Sequence, residues 1–329
     1  MISLLRDRIF NTGNQSDFLN LSLQVFEYQY NNNAVYRDFA DCLKKVPGKV
    51  SHLTDLPFLP VEFFRNNRII SGGDPVQKIF ESSGTTGNLT SRHYVCDTGL
   101  YTESFLRSFN LFYGDPAAYM IAALLPSYTE RENSSLVYMA DTLISMSRSK
   151  LSGFYRENEE SLIRNIAMAK NEGQNVLLLG VSFALLDLAE KTAPDLSGVI
   201  VMETGGMKGR RKEITRAELH AILTKSFNVP AIHSEYGMTE ILSQAYSKGD
   251  GIFYCPPWMK IILRDTQDPL SLFTEPGRTG GINIIDLANL YSCSFISTGD
   301  LGRLREDGGF EVLGRFDNSD IRGCNLLTE

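Results

Sequence analysis

Apolar residues recur at helical spacing in the first quarter of the chain and in short strand-like runs afterwards. Leu21, Val25 and Tyr28 fall on one helical face, and Tyr36, Phe39 and Leu43 on another. The Asn31-Asn32-Asn33 run between them predicts a loop, and Pro57 and Pro60 punctuate the entry to residues 61–70. From about Lys78 strands and helices alternate. Residues 77–83 read as a strand ending in a polar loop, and 117–125 as a buried strand broken by Pro126. Residues 157–173 read as a helix with Gly173 near its end, and 175–180 as a strand. Ser182 is placed to cap a helix over 182–193; a strand and loop come next over 198–206, then a helix near 214–227. This alternation predicts a mainly parallel sheet flanked by helices. After about Pro256 the texture turns strand-rich, and Asp307-Gly308-Gly309 suits a hairpin turn. The expected α/β fold therefore has three parts: a helical segment over 1–75 packed on the core, an α/β core over 76–255, and a small β-rich subdomain over 256–329.

Composition narrows the function classes. The 329 residues are 43% hydrophobic, enough for a large core, and the formal net charge is −7. Nucleic-acid binding usually needs a basic field, so none is expected here. An anionic substrate would have to be captured by local donors. The N-terminal residues show no signal-peptide core, and the apolar run Val176–Leu186 is interrupted by Gly180 and Ser182, too short for a membrane span. The five cysteines are scattered without a CxxC pair, which suggests reduced thiols and a cytoplasmic protein. His93, His220 and His233 lack metal-ligand spacing.

Three segments carry candidate chemistry. Ser82-Ser83-Gly84-Thr85-Thr86-Gly87 follows a strand and offers hydroxyls, tight turns and backbone N–H groups to phosphate oxygens. It lacks the Lys of a Walker loop, and by itself reads equally as a surface turn. In Ser234-Glu235-Tyr236-Gly237-Met238-Thr239-Glu240, a Tyr beside Gly can lie against a purine, and Thr239 and Glu240 offer a hydroxyl and a hard oxygen for Mg²⁺. A helix N-terminus is the blander reading of this segment. Ser297-Thr298-Gly299-Asp300-Leu301-Gly302, followed by Gly314-Arg315-Phe316-Asp317, sets a carboxylate and an Arg on turns where they could hold ribose or phosphate. Taken alone, a pair of hairpin turns is the better account of it.

In that order, SSGTTG, YGMTE, TGDLG and GRFD resemble the core motifs of the acyl-adenylate-forming superfamily of acyl-CoA synthetases, luciferases and peptide-synthetase adenylation domains, over about residues 78–325. Within it, FESSGTTGNLTSRHYVCD, ETGGMKGRR, HSEYGMTEILSQAY and DIRGCNL resemble the LuxE-like acyl-protein synthetases, with phenylacetate-CoA ligases as neighbours. The resemblance implies a large N-terminal region of that superfamily's fold and ATP-dependent activation of a carboxylic acid, fatty or otherwise, as acyl-AMP, followed by transfer to a thiol. It implies that Ser82 to Gly87 hold the β- and γ-phosphates, and that Thr204, Gly205 and Gly206 line the adenine pocket beside Tyr236 and Gly237. Thr239 would touch the α-phosphate, Glu240 would bind Mg²⁺, and Asp300 and Arg315 would hold the ribose. Where the superfamily commonly has Pro-Lys-Gly, this chain has Asn88 to His93, so Arg92 or His93 is the candidate replacement cation. The superfamily's mobile C-terminal domain, with its catalytic Lys, is expected to be absent, because the sequence stops about fifteen residues after Arg315. Cys324 lies where LuxE-like enzymes carry an acyl-accepting thiol, although a small gap-filling residue explains it as well. CoA or a carrier phosphopantetheine would be the other acceptors, the latter on an acyl-carrier or acyl-accepting protein. A phenylacetate-type CoA ligase, and a nucleotide- or acyl-binding module without catalysis, are the alternative readings. Lys208, Arg210, Arg211 and Lys212 could dock a phosphate or simply be solvated, and Tyr128, Arg131, Ser134 and Ser135 could face the acid.

Overall fold

The computed structural model describes residues 2–82, 90–125, 132–156, 158–205, 211 and 214–316, and the structural statements below concern these. The chain begins with α1 (Ile2–Ile9), α2 (Gln15–Asn32), α3 (Ala34–Cys42), a two-residue strand β1 (Leu59–Pro60) and α4 (Phe63–Asn66). The expected three-residue Asn loop is absent. Asn33 alone joins α2 to α3: its N–H closes α2 on Gln29 O at 2.9 Å, while its side chain accepts from Tyr36 N at 3.0 Å to start α3. One residue serves both helix ends because an Asn can satisfy orphan donors through its side chain.

A hairpin of β2 (Lys78–Glu81) and β3 (Arg92–Val95) leads into α5 (Thr98–Tyr113), which Asp97 caps and which ends at Gly114 with φ +86°. The next sheet contains β4 (Tyr119–Leu124), β5 (Gly153–Phe154), β6 (Asn175–Val181), β7 (Val199–Thr204), β8 (His233–Tyr236) and β9 (Ala245–Ser247). Its order is β5-β4-β6-β7-β8-β9, parallel throughout except at the last pair. The helices α6 (Ser135–Met146), α7 (Glu159–Asn171), α8 (Ser182–Lys191) and α9 (Arg216–Phe227) intervene. Strand β6 is buried from Val176 to Val181, as expected of a parallel strand covered on both faces. Gly180 lets α8 approach it: a Cβ there would lie 2.8 Å from Leu185 Cγ.

Ser182 is not the cap of α8. It is the first helical residue, and its hydroxyl turns inward to Glu203 Oε2 (3.0 Å) and Gly205 O (2.7 Å). A buried acceptor within reach outcompeted the local cap.

The last sheet is antiparallel: β10 (Ile252–Phe253), β11 (Met259–Arg264), β12 (Leu272–Phe273), β13 (Thr279–Asp286), β14 (Phe295–Leu304) and β15 (Phe310–Arg315), in the order β10-β15-β14-β13-β11-β12. Strand β1 adds to β14 in parallel. The register of β14 on β15 shifts between Leu301 and Gly302, one residue past Asp300. A bulge there bends the strand locally.

Buried amides tie the N-terminal helices to the turn between β13 and β14. Gln29 donates to Asn289 O, Leu290 O and Ser294 Oγ, and accepts from Ser294 N. Leaving such a group unpaired would cost about 1–3 kcal/mol, so this contact specifies one docking geometry. His93 and His233 are neutral in the folded protein, because burial pushes both down to about 4. Each binds its proton more readily once unfolded, so their contribution to stability is full above the ordinary histidine value and is lost as pH falls toward 4. His233→Asn is therefore expected to lose less stability than the wild type, read as the urea midpoint, as pH falls from 7 to 4.5.

Candidate active site

Parallel strands deliver their C-terminal ends to one edge of the sheet, and two of the candidate segments leave from that edge. Thr204 ends β7 and donates its hydroxyl to the Glu235 carboxylate; Gly205 comes next with φ +69°. Tyr236 ends β8, and its hydroxyl donates to Asp300 Oδ2 at 2.8 Å. The Tyr236 ring meets Phe253 and Phe310 at centroid distances of 5.9 and 5.7 Å and is only 8% exposed, which leaves little of it open to a purine. Burial and the neighbouring Asp300 charge push its phenol well above the usual range. Gly237 is exposed, and a Cβ there would come within 2.3 Å of Glu235 Oε1.

Asp300 is held by its own turn, its N–H donating to Thr298 Oγ1 at 3.1 Å. It pairs in register with Arg315, whose Nε lies 3.5 Å from Asp300 Oδ1. Arg315 is largely exposed, so its guanidinium can turn toward a ligand. The antiparallel sheet thus brings the third segment against the second.

Glu240 is 5% exposed, and burial raises its carboxyl above the usual range, opposed by the Ser91 hydroxyl, its own backbone and the fields of Arg315 and Arg65. The turn carrying it is fixed on several sides. Thr239 O accepts from His93 Nδ1 at 2.8 Å, and Glu240 O accepts from Asn289 Nδ2 at 2.8 Å. The amides of Leu242 and Ser243 donate to Asp286 Oδ2 at 2.7 and 3.0 Å. Ser91 is in turn locked to Ser82: Ser82 N donates to Ser91 O at 3.0 Å and Ser91 N to Ser82 Oγ at 2.9 Å. The base of the Ser/Thr/Gly turn therefore lies beside Glu240.

The structure brings Ser82, Glu240, Tyr236, Asp300, Arg315, Thr204 and Gly205 into one neighbourhood. Ser83, Gly84, Thr85, Thr86, Gly87, Gly206 and Cys324 lie outside the described residues, as do Tyr128, Arg131, Lys208, Arg210 and Lys212. His93 is not the replacement cation: it is fully buried, edge-on to Phe64 at 5.8 Å, and neutral. Arg92 is exposed and pairs with Glu81 at 3.2 Å. Arg211 pairs with Asp187 and Glu190, and Ser134 caps α6. No helix starts at Gly237 to Glu240. Asn289, Asp286 and Ser91 escape sequence reasoning, because single polar residues in apolar or loop segments give no motif.

Among the described residues no group of three His, Cys, Asp or Glu could hold a metal ion. One buried carboxylate still fits Mg²⁺, which binds through one or two carboxylates together with substrate phosphates. No described helix is long and apolar enough to cross a membrane.

No protein-family model matches the chain, and no curated protein matches it in sequence. Solved structures match its fold. Against 2-hydroxyisobutyryl-CoA ligase in complex with 2-HIB-AMP the TM-score is 0.66 at 13% identity, covering 92% of this chain and 68% of that one. Against ATP-bound MatB from Rhodopseudomonas palustris it is 0.56 at 18% identity, covering 74% of this chain and 49% of that one. The chain thus spans about half the length of MatB. Over the matched residues the chain shares its fold with these two proteins.

Proposed function

We propose that the chain activates a carboxylic acid with ATP, forming acyl-AMP and pyrophosphate, and passes the acyl group to a thiol as LuxE-like acyl-protein synthetases do. The observation that carries this reading is the convergence of Glu240, Asp300, Arg315 and Tyr236 at one end of the parallel sheet, beside Ser82. ATP held by MatB and 2-HIB-AMP held by the hydroxyisobutyryl ligase are the nucleotide states on either side of the first step.

In that step a carboxylate oxygen forms a bond to the α-phosphorus as the bond to the pyrophosphate oxygen breaks. Asp300 accepts hydrogen bonds from the ribose hydroxyls, with Tyr236 and Arg315 holding its two oxygens. Thr204, Gly205 and Gly206 line the base, Thr239 donates to the α-phosphate, and Ser82 to Gly87 cradle the leaving phosphates. Mg²⁺, with Glu240 as its protein ligand, would neutralise phosphate charge when bound. The protein's work is then positioning and electrostatic stabilisation. The mixed anhydride is opened by a thiolate of Cys324, CoA or a carrier phosphopantetheine, releasing AMP.

Acid-dependent ATP–pyrophosphate exchange over fatty, aromatic and hydroxy acids tests the reading; ATP binding without exchange for any acid would leave only a binding module. Cys324→Ser is expected to keep exchange and lose covalent acyl label on the protein. A fully labelled variant removes Cys324 from the reaction, and release of free acyl-CoA identifies a CoA ligase instead.

A further inference from the structure

We infer that His93 and Asn289, bridged by one buried water, form a clamp that aims the Glu240 carboxylate, with His93 acting as a positioning residue. The metal-directed part rests on the adenylating function proposed above; the clamp itself rests on geometry alone.

Hydrogen-bond chemistry fixes both side chains. Thr239 O can only accept, so the proton of His93 sits on Nδ1, and Nε2 presents a lone pair. Asn289 Nδ2 donates to Glu240 O at 2.8 Å and to Cys293 O at 2.7 Å. Two carbonyl acceptors set the orientation of that amide and leave Oδ1 as the free acceptor. His93 Nε2 and Asn289 Oδ1 are both buried without a partner. The Asn289 side chain lies within interaction range of His93, but in this tautomer neither Nε2 nor Oδ1 carries a hydrogen to donate to the other. Both residues line a cavity of about 10 Å³, room for a single water. A water there donates one hydrogen to each atom, which settles both.

The consequence is mechanical. The carbonyls of Thr239 and Glu240, on either side of the Glu240 Cα, are gripped from β3 and from the turn after β13. Asp286 holds the next two amides, and Gln29 anchors Asn289 O at 3.1 Å. The backbone of Glu240 is thereby fixed, and the Ser91 hydroxyl bonds its carboxyl. Groups that orient a metal-binding carboxylate typically change metal affinity or activity about 10–100-fold when lost.

Nitrogen-15 histidine NMR of the unliganded full chain reads the clamp directly. A proton on His93 Nδ1 with a hydrogen-bonded, unprotonated Nε2 is expected. A proton on Nε2 overturns the arrangement, whether or not the protein adenylates anything. Mg²⁺ dependence then tests the aiming role, by exchange assay and by calorimetric titration of ATP at fixed Mg²⁺. His93→Leu is expected to raise the half-saturating Mg²⁺ concentration about 10–100-fold and to lose the Mg²⁺-induced tightening of ATP. His93→Asn keeps a donor for Thr239 O and should recover most of both, with the same KM for the acid. Unchanged Mg²⁺ dependence in a folded His93→Leu, or equal defects in the two variants, overturns the aiming role. Wild-type protein with the expected tautomer but no exchange refutes the adenylating function and leaves the clamp standing.

Discussion

Glu240→Gln is expected to lower acid-dependent pyrophosphate exchange by at least about 10²-fold while leaving the protein as stable as the wild type, or more so. The two effects have opposite signs for one reason. Glu240 is almost wholly buried, and desolvation raises its carboxyl above the ordinary value. Its ionised form is therefore disfavoured in the fold, yet that form is the one a cation needs. An amide of the same shape removes both the cost and the charge. The wild type carries no ionisation cost at Glu240 below the unfolded carboxyl value and takes on that cost as pH rises through the folded one. Urea midpoints of variant and wild type should therefore be similar near pH 4 and diverge toward pH 7, the variant ahead. Lost exchange accompanied by lost stability would make Glu240 a structural group.

Arg216→Ala is expected to destabilise the fold by about 3 kcal/mol at neutral pH. Arg216 Nε lies 3.2 Å from the buried Glu203 Oε1, its Nη1 donates to Val312 O at 2.9 Å, and its guanidinium sits 4.9 Å from the Phe253 ring centroid. One side chain thus joins α9 and β7 of the parallel sheet to β10 and β15 of the antiparallel one. Burial would push Glu203 up, but His220, Arg216 and Ser234 outweigh it and hold the carboxyl below the usual range. Removing Arg216 leaves a buried charge with weaker compensation. Glu203 then escapes by taking a proton, so the loss should be larger at pH 8 than at pH 5. Glu203→Gln in the Arg216→Ala background should restore part of the stability, measured by urea denaturation. Additive losses in the double variant would show that the two groups do not couple.

Helices with apolar periodicity and clear end signals are legible in the amino-acid sequence. Residues 157–173 contain α7, which Asn158 caps, and 214–227 contain α9, with the Thr215/Glu218 capping box. The parallel order of β4, β6, β7 and β8 agrees with strand–helix alternation. Helices α5 and α6 escape the sequence reading although Asp97 and Ser134 cap them and α5 buries Leu100, Tyr101, Phe105 and Phe109 along one face. Ser182 and His93 depart from expectation for a shared reason. Each found a partner on an element remote in the chain, Glu203 for Ser182 and Thr239 for His93, which no local pattern reports.

Taken alone, the sequence determined which segments could carry chemistry. Small residues, glycines and oxygen donors at 82–87, 236–240 and 297–302 marked them as an ordered set, since each alone fits an ordinary turn or helix start. Local composition also set where the chain turns and which runs are buried, because periodicity and capping act within a few residues. Only the tertiary structure decided how those segments meet. Tyr236 reaches Asp300 across 64 positions and His93 reaches Thr239 across 146, through contacts set by sheet register and long-range packing. Closing such distances is a cooperative property of the whole core, so the orientation of Glu240, held from β3 and the β13–β14 turn, is encoded nowhere near Glu240 itself.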